Sequence, residues 1–267
     1  MHIVVCVKQV PNPEAAFSML KVDEQALKVV PVAGLQLVMS PFDEQAMEAA
    51  LRIREAHAQT KITALSVGPD SARTVLKHAL AMGADEAVLV SDAVLADAGS
   101  EATAYALSHA IRQMSAVDLV LTGRQAADWD AGVVGCGVAE LLGMPVITFA
   151  CKVEIEQGGV RVERVLADGF ETIEADLPAV VTVSNEIGAA RAPSLRETMR
   201  AARKPLAVRT AADIDVTADA IAALAARRLR ERLYVPVKAG QCELIAGADE
   251  TAQAAALVQR LREARLV

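Results

Sequence analysis

Short, continuous apolar runs alternate with longer segments whose apolar residues recur at helical spacing through the first half of the chain. The apolar runs cover residues 2–7, 62–67, 86–90 and 117–122, and the Ala-rich helical segments cover about 43–58, 71–82, 101–114 and 131–142. Continuous apolar runs are typical of strands buried on both faces, so this alternation predicts a parallel sheet with right-handed crossovers. Such sheets bind ligands beyond the carboxyl ends of their strands, where we expect the functional residues.

The pattern changes after Pro145, where apolar and polar residues alternate. The alternating runs cover 152–157, 160–166 and 170–174, with Gly158-Gly159 and Asp168-Gly169 at the turns. This pattern predicts antiparallel hairpins. A buried strand at 179–183 and a basic helix from about 194 to 203, ended by Pro205, are predicted to follow.

Beyond residue 205 the signal for a buried core is weak. Residues 211–230 and 251–265 have helical character, and residues 233–236 have an extended pattern. The sequence therefore predicts an α/β, Rossmann-like domain with antiparallel hairpin strands over 1–205, and a C-terminal helical arm over 206–267. This composition fits an arm that wraps around a partner, and it fits equally well a segment that lies on the surface of its own domain.

Composition argues against several classes of function, although a local basic patch remains compatible with it. Hydrophobic residues make up 53% of the chain and aromatic residues only 3%, so we expect a core of Ala, Val, Leu and Ile. The formal net charge of −7 argues against binding to nucleic acid, whose phosphates require a concentrated positive surface. No apolar stretch reaches the roughly 18–20 residues of a membrane span, and no signal peptide is evident. We therefore expect a cytoplasmic protein without direct membrane insertion.

Neither a metal centre nor an independent catalytic site is apparent in the sequence. The cysteines and histidines are dispersed and lack ligand spacing, which speaks against zinc or an iron–sulfur cluster. The chain also lacks Ser-His-Asp and Gly-x-Ser-x-Gly arrangements, a P-loop and a Gly-x-Gly-x-x-Gly fingerprint after the first strand. We therefore expect no bound metal, no catalytic residue and no enzymatic activity of the chain alone.

The richest local signal is the segment 123–135, which lies between a predicted strand and a predicted helix. Its small residues would let backbone N–H groups approach an anion at a helix N-terminus, which predicts a phosphate-binding loop. A polar loop in which Asp128 or Asp130 caps the helix is an equally good interpretation. Trp129 would stack on a ring of the ligand or merely cap the helix end. Lys8, directly after the first strand, is more typical of an exposed lysine than of a ligand.

Several segments together resemble the electron transfer flavoprotein β subunit family, in the family's order and over nearly the whole chain. They are Val7-Lys8-Gln9-Val10-Pro11, Ser40-Pro41-Phe42-Asp43, Ala81-Met82-Gly83-Ala84-Asp85, residues 118–126, Val162-Glu163-Arg164, Asp168-Gly169-Phe170-Glu171-Thr172 and Leu177-Pro178-Ala179-Val180-Val181-Thr182. The last three form the family's signature segment, which is the most specific match. The resemblance implies an adenine nucleotide α-hydrolase-like variant of the Rossmann fold, in agreement with the predicted parallel sheet.

The resemblance implies that this chain holds a nucleotide. In the family the β subunit buries an AMP, whereas FAD is held mainly by the α subunit. The residues that correspond to the AMP site are Cys6, Ser40, Pro41, Phe42, Asp43, Val67, Gly123, Arg124, Gln125, Ala126, Ala127, Asp128, Trp129, Asp130, Ala131, Gly132, Val133 and Val134. The segment 40–43 is also interpretable as a simple helix start, with proline and aspartate in the first turn.

The resemblance also implies partners. The β subunit forms an obligate heterodimer with the α subunit, which the C-terminal arm would contact. It carries electrons from acyl-CoA or related dehydrogenases towards the electron transfer flavoprotein–quinone oxidoreductase. Residues 192–204 resemble the family's recognition loop, in which Leu195 corresponds to the exposed leucine that contacts the dehydrogenase, and Met199 and Arg200 are further candidates for partner binding. A buried position in an amphipathic helix is the alternative for Leu195.

The nucleotide loop departs from the family's patterns. It lacks the Asn-Gln-Thr-Gly ending of AMP-binding members and the complete Asp-Gly-Asp-Thr-Ala-Gln-Val-Gly run of electron-bifurcating members. Asp128, Asp130, Val134 and Gly135 nevertheless match the bifurcating pattern. A second FAD in a bifurcating complex is therefore the alternative to AMP. Val165 stands where many members carry an acidic residue thought to pair with the partner's flavin domain, so the resemblance does not extend to that ion pair.

Two interpretations lie outside this family. A stand-alone ATP-binding module of the same fold superfamily would lack the hairpins and the recognition helix that are predicted here. An enzyme that cleaves the α–β phosphate bond of ATP would carry a Ser-Gly-Gly-x-Asp-Ser loop after the first strand, where this chain has Lys8-Gln9-Val10-Pro11.

Overall fold

The computed structural model describes residues 1–16, 19–30, 32–236, 240 and 242–267. The strands are β1 (His2–Cys6), β2 (Gln9–Pro11), β3 (Lys21–Asp23), β4 (Lys28–Val30), β5 (Leu37–Met39), β6 (Lys61–Val67), β7 (Glu86–Val90), β8 (Leu119–Gly123), β9 (Val146–Glu156), β10 (Gly159–Leu166), β11 (Gly169–Asp176), β12 (Ala179–Val183) and β13 (Leu206–Arg209). The helices are α1 (Pro41–Ala56), α2 (Arg73–Met82), α3 (Gly99–Arg112), α4 (Val134–Leu142), α5 (Leu195–Ala201), α6 (Ala218–Ala225) and α7 (Glu250–Glu263). None of the described helices is both long and apolar enough to cross a bilayer.

A nine-stranded sheet lies at the centre of the described structure, in the order β11-β10-β9-β12-β8-β1-β6-β7-β13. Neighbouring strands from β9 to β13 in this order pair in parallel. β10 pairs antiparallel with both β9 and β11. The predicted parallel sheet with antiparallel hairpin strands is thereby confirmed.

The sheet divides the hydrophobic core into two layers. In β1, Ile3 and Val5 pack in the layer that contains α1 and α2, whereas Val4 and Cys6 pack in the layer that contains α3 and α4. The side chains of Ile3, Val4 and Val5 are fully buried. Burial contributes about 1.5–3 kcal/mol for each such valine or isoleucine. A strand buried on both faces is what the continuous apolar run predicts.

The helices follow the predicted stripes, with one shift. The predicted segments 43–58, 71–82 and 101–114 correspond to α1, to a 3₁₀ turn followed by α2, and to α3. The fourth helix begins at Val134 instead of residue 131. Asp130 and Gly132 have φ angles of 48° and 65°, and these left-handed values are incompatible with a right-handed helix. Residues 131–133 therefore belong to the loop.

The second half of the sheet agrees with the alternating pattern. The predicted runs at 152–157, 160–166 and 170–174 correspond to β9, β10 and β11, and the buried strand corresponds to β12. β9 begins earlier than predicted, because its first part pairs with β12 before its second part pairs with β10. The basic helix corresponds to α5.

The described region beyond residue 205 contains β13, α6 and α7, so the predicted C-terminal helix is present. β13 adds to the edge of the main sheet beside β7, and Ile214 and Ile221 are buried in the layer of α3. Helix within 211–230 is limited to a 3₁₀ turn and α6, and the described residues among 228–247 lie in no helix or strand. α7 has no buried residue.

Candidate functional site

The neighbouring strands β8, β1 and β6 end at the point where the strand order of the sheet reverses. From β1 the chain proceeds through β6 to β7 on one side, and it returns with β8 to the other side of β1. The carboxyl ends of these strands form a topological switch point, the position at which open α/β sheets bind ligands. Cys6, Val67 and Gly123 are the last residues of β1, β6 and β8. The topology therefore brings three predicted site residues to one edge.

Asp43 connects three of the predicted site segments through hydrogen bonds, namely those after β1, at the start of α1 and at the end of β8. Its side chain lies in the first turn of α1 and is buried. Asp43 Oδ2 accepts the backbone N–H of Lys8 at 2.8 Å, and Oδ1 accepts that of Gly123 at 3.1 Å. Ser40, directly before α1, accepts the backbone N–H of Ala127 at its Oγ at 3.4 Å. The segment 40–43 is therefore more than a helix start, because it binds the segments that follow β1 and β8.

Burial raises the pKa of Asp43 to about 7. The two backbone N–H donors and the Lys8 ammonium group act in the opposite direction because they stabilise the carboxylate, and the charge of Asp128 adds to the increase. Burial also raises the pKa of the Cys6 thiol, and the charge of Asp43 adds to that effect. Cys6 therefore remains protonated and packs as a core residue.

The loop between β8 and α4, which contains the predicted residues 124–133, is closed by its own polar side chains. Lys8 Nζ lies 2.6 Å from Asp128 Oδ2, and Gln125 Nε2 donates to Asp130 Oδ1 at 2.8 Å. Neither carboxylate caps α4, because the cap residue is Val133 and it makes no side-chain cap bond. The interpretation of Asp128 or Asp130 as the helix cap is therefore wrong. The first N–H groups of α4 remain available to an anion.

Arg124 is bound to the end of β12. Its guanidinium carbon lies 5.0 Å from the ring centroid of Phe42 and 5.7 Å from that of Phe149. Arg124 Nη1 donates to Ser184 Oγ at 3.2 Å. This cation–π packing connects the loop between β8 and α4 to α1 and β9.

Trp129 is the large apolar side chain of the loop, and 47% of its surface is exposed. The guanidinium of Arg230, from the segment between α6 and α7, stacks over its ring at 4.8 Å from the centroid. Because Val133 occupies the cap position of α4, Trp129 does not cap the helix end. Its exposed face is therefore open to a ligand or a partner.

Buried polar atoms without a protein partner lie at the same edge of the sheet. They are Asp128 Oδ1, Arg124 Nε and Ser66 Oγ. Buried polar groups are nearly always hydrogen-bonded, so these atoms indicate bound water or a ligand. Together with the uncapped α4 and the small residues 131 and 132, they fit the polar groups of a nucleotide. Within the described ranges, no cluster of His, Cys, Asp and Glu side chains could hold a metal ion.

Sequence reasoning missed three partners of the loop. Lys8 is half-exposed, as expected, yet its ammonium group pairs with Asp128. Lys8 lies two residues after β1, and Ser184 directly follows β12. Proximity to a strand end is therefore the signal that could have identified Ser184. Arg230 approaches from a distant part of the chain, and no local pattern indicates it.

The predicted recognition segment presents apolar side chains to solvent. Leu195 and Met199 are 78% and 68% exposed. Ser194 and Glu197 form a capping box that fixes the start of α5. The alternative of a buried Leu195 is therefore wrong. Arg200 lies in the last turn of α5 and is also exposed.

Ion pairs and hydrogen bonds hold the recognition segment at both ends. Before α5, Arg191 donates from Nε and Nη2 to the Glu48 carboxylate at 2.8 and 3.0 Å. Burial tends to raise the pKa of Glu48, but its bonds to arginines lower the pKa below the ordinary value overall. After α5, Lys204 Nζ donates to two backbone carbonyls at the end of α2, at 3.0 and 2.6 Å. These contacts therefore fix the position of α5, whose apolar side chains remain exposed.

Gly123→Ala is expected to lower the free energy of unfolding by about 1–3 kcal/mol, because a Cβ atom there would lie 2.6 Å from both Asp43 Oδ1 and Phe42 Cβ. Gly169→Ala is the matched control, since a Cβ atom at that position meets nothing within 4 Å. Urea unfolding of the wild type and both variants measures the effect. Equal losses in the two variants would contradict the close approach of β8 to α1.

The stability advantage of the wild type over Asp43→Asn is expected to shrink as the pH rises from about 4 to about 7, and to stay constant above that. The Asp43 carboxyl has a pKa of about 7 in the folded chain and about 4 in the unfolded chain. The folded chain therefore binds the proton more tightly, and this stabilisation is lost as the pH rises through the window. Urea unfolding across the window at constant ionic strength measures the difference. If the difference in unfolding free energy between the wild type and Asp43→Asn increased with pH, the backbone donors would lower the pKa of Asp43 by more than burial raises it.

Comparison with known proteins assigns the chain to a family. Residues 29–214 match the family model of the electron transfer flavoprotein domain. The electron transfer flavoprotein subunit beta of Megasphaera elsdenii is 40% identical over 77% of each chain. The caffeyl-CoA reductase-Etf complex subunit CarD of Acetobacterium woodii is 34% identical over the full length of both chains. Protein FixA of Azorhizobium caulinodans is 32% identical over 98% of this chain and 94% of its own. The chain therefore belongs to the electron transfer flavoprotein β subunit family.

Proposed function

We propose that this chain binds AMP at the switch point and, with an α subunit that holds most of the FAD, carries electrons from acyl-CoA or related dehydrogenases towards a quinone oxidoreductase. Its family makes it part of a flavin-associated electron transfer complex with an α subunit. The observation that carries the nucleotide assignment is the site joined by Asp43, where three strand ends meet an uncapped helix.

The site around Asp43 supports an adenine nucleotide. The loop 123–134 would bind the phosphate through backbone N–H groups, because Ala131 and Gly132 let the backbone approach it and α4 directs its N-terminus towards it. Cys6, residues 40–43 and Val67 would enclose the rest of the nucleotide. AMP carries no electrons, so its contribution in this position is structural.

Two exposed regions support an α-subunit partner. Val146, Phe149, Leu166 and Phe170 are 39–61% exposed. They lie in β9, β10 and β11, which are neighbours in the sheet, and this favours an apolar binding surface there. Val165 pairs with Phe170 across β10 and β11, which favours apolar contact here in place of the family's ion pair. α7 has 14 residues and no buried side chain, and a helix of this length is marginal in water without a packing partner.

The α5 segment supports transient binding of a dehydrogenase. Leu195 and Met199 form a small apolar surface beside Arg196 and Arg200. A small apolar contact with charges at its rim suits fast exchange between redox partners, because charges accelerate the encounter and a small area limits the affinity.

A second FAD in place of AMP is the other candidate. A relative that aligns with this chain over its full length is named as a subunit of a caffeyl-CoA reductase-Etf complex. The loop also matches the bifurcating pattern at Asp128, Asp130, Val134 and Gly135. In this alternative the chain would hold its own flavin at the same strand ends.

Nucleotide analysis of the purified heterodimer distinguishes the two candidates. The chain is co-expressed with its cognate α subunit, the complex is denatured, and released nucleotides are quantified by chromatography. We expect about one FAD and one AMP per heterodimer. Two FAD without AMP would replace the carrier assignment by the bifurcating one, and the absence of both nucleotides would rule out both.

Leu195→Ala is expected to raise the KM of the heterodimer in its reduction by an acyl-CoA dehydrogenase by about tenfold, because truncation of a central apolar contact costs about 1–2 kcal/mol. FAD and AMP contents should not change, since Leu195 is exposed and makes none of the loop's contacts described above. Leu37→Ala, at an exposed leucine outside the C-terminal arm, is the control. An unchanged KM for Leu195→Ala would remove α5 from the docking surface.

A further inference from the structure

The nucleotide loop is short of positive charge. Residues 123–134 contain one basic residue, Arg124, and two carboxylates, Asp128 and Asp130. The Arg124 guanidinium packs against two phenylalanine rings and is bonded to Ser184. The ammonium group of Lys8 lies 2.6 Å from Asp128, which neutralises it. A phosphate that binds here therefore requires a further cation.

Arg230 brings a cation to the loop from the C-terminal segment. Its guanidinium carbon lies 4.8 Å from the centroid of the Trp129 ring, and its Nη1 donates to the backbone carbonyl of Leu27 at 2.6 Å. Nearby, Arg228 Nε lies 2.6 Å from Glu101 Oε1 on α3. These contacts hold residues 228–230 beside the nucleotide loop.

The contacts of Arg230 leave most of its donors unused. A guanidinium has five N–H groups in one plane, and stacking on a ring engages its face rather than these groups. The bond to Leu27 uses one N–H group. Within the described part of the chain Arg230 forms no salt bridge, whereas Arg228 pairs with Glu101. Arg230 is therefore oriented and still able to bind an anion.

We propose that Arg230 is the phosphate-binding cation of the nucleotide site and that Trp129 positions it by stacking. This inference rests on the proposed nucleotide-binding function of the loop. The N-terminus of α4 supplies only about half a positive charge, which is little for a phosphate beside two carboxylates. A guanidinium adds a full charge and two parallel N–H donors that match two phosphate oxygens.

The ligand group is the phosphate of an adenine nucleotide, either the monophosphate of AMP or the diphosphate of FAD. In both cases the C-terminal segment becomes a wall of the nucleotide site. The nucleotide is then released only when residues 228–230 move off the loop.

Calorimetric titration of the nucleotide-stripped heterodimer tests the role of Arg230. Arg230→Ala is expected to weaken AMP binding about 10- to 100-fold, the effect of losing hydrogen bonds to a charged group. Binding of adenosine, which has no phosphate, should not change. Arg232→Ala is the matched control and should bind AMP within about threefold of the wild type, because the Arg232 guanidinium lies over the Tyr234 ring, at 4.7 Å from its centroid, and not over Trp129.

Two further measurements separate the sources of the phosphate and the role of Trp129. If the occupant is FAD, Arg230→Ala should lose the FAD of this chain and retain that of the α subunit. Trp129→Ala should weaken binding of AMP but not of adenosine. Equal weakening of both would show that Trp129 stacks on the base, and would overturn its assignment as a positioning residue.

Different binding results would contradict the role of Arg230 and the proposed nucleotide-binding function. If the wild type binds AMP or FAD in this chain and Arg230→Ala binds it equally well, Arg230 is not the phosphate ligand and the proposed function stands. Equal loss of AMP and adenosine in Arg230→Ala would indicate a structural role and would also overturn the inference. A wild-type heterodimer that binds neither nucleotide in this chain overturns both.

Discussion

The buried carboxylate of Asp43 is the constraint on which the switch-point end of the sheet depends. A carboxylate removed from water is costly unless it is hydrogen-bonded. The backbone N–H groups of Lys8 and Gly123 supply those bonds, at the ends of two adjacent strands. One side chain of α1 thus satisfies donors on both strands and sets the position of the helix against them. Glycine is required at 123, because a Cβ atom there would occupy the place of the Asp43 oxygen.

The loop after β8 then takes a shape that favours a ligand over local stability. Its acidic residues pair with Lys8 and Gln125 and leave α4 without a side-chain cap. An uncapped helix end and the buried, unpartnered Asp128 Oδ1 both cost free energy in the chain alone. A sequence that departs from local rules in this way does so typically at a functional site, where a bound group offsets the cost.

The sequence predicts the sheet and its helices well because buried residues recur at regular spacing along a strand or helix. It predicts the contacts of the site poorly because those contacts join residues that are distant in the sequence and follow no regular spacing. The run of apolar residues in β1 correctly indicates burial on both faces. The start of α4 is misplaced because Asp130 and Gly132 adopt left-handed φ values, which composition alone does not require of an aspartate. Segment 40–43 is indicated as a site segment by resemblance alone, and the choice of Asp43 as the common acceptor of the Lys8 and Gly123 N–H groups depends on topology. Arg230 reaches Trp129 across about a hundred residues of chain, a separation at which no local pattern carries information.

The C-terminal segment links the nucleotide to the assembly of the complex. Under the proposed function α7 binds the α subunit, while residues 228–230 bind the nucleotide loop. When the α subunit orders this segment, less conformational entropy remains to be lost in placing Arg230 at the phosphate, so the nucleotide binds more tightly. Binding free energies are reciprocal, so a bound nucleotide must strengthen the contact between the subunits by the same factor. Under the proposed function, a nucleotide that carries no electrons would therefore have a physical reason to be present, because it would strengthen the contact between the C-terminal arm and the α subunit.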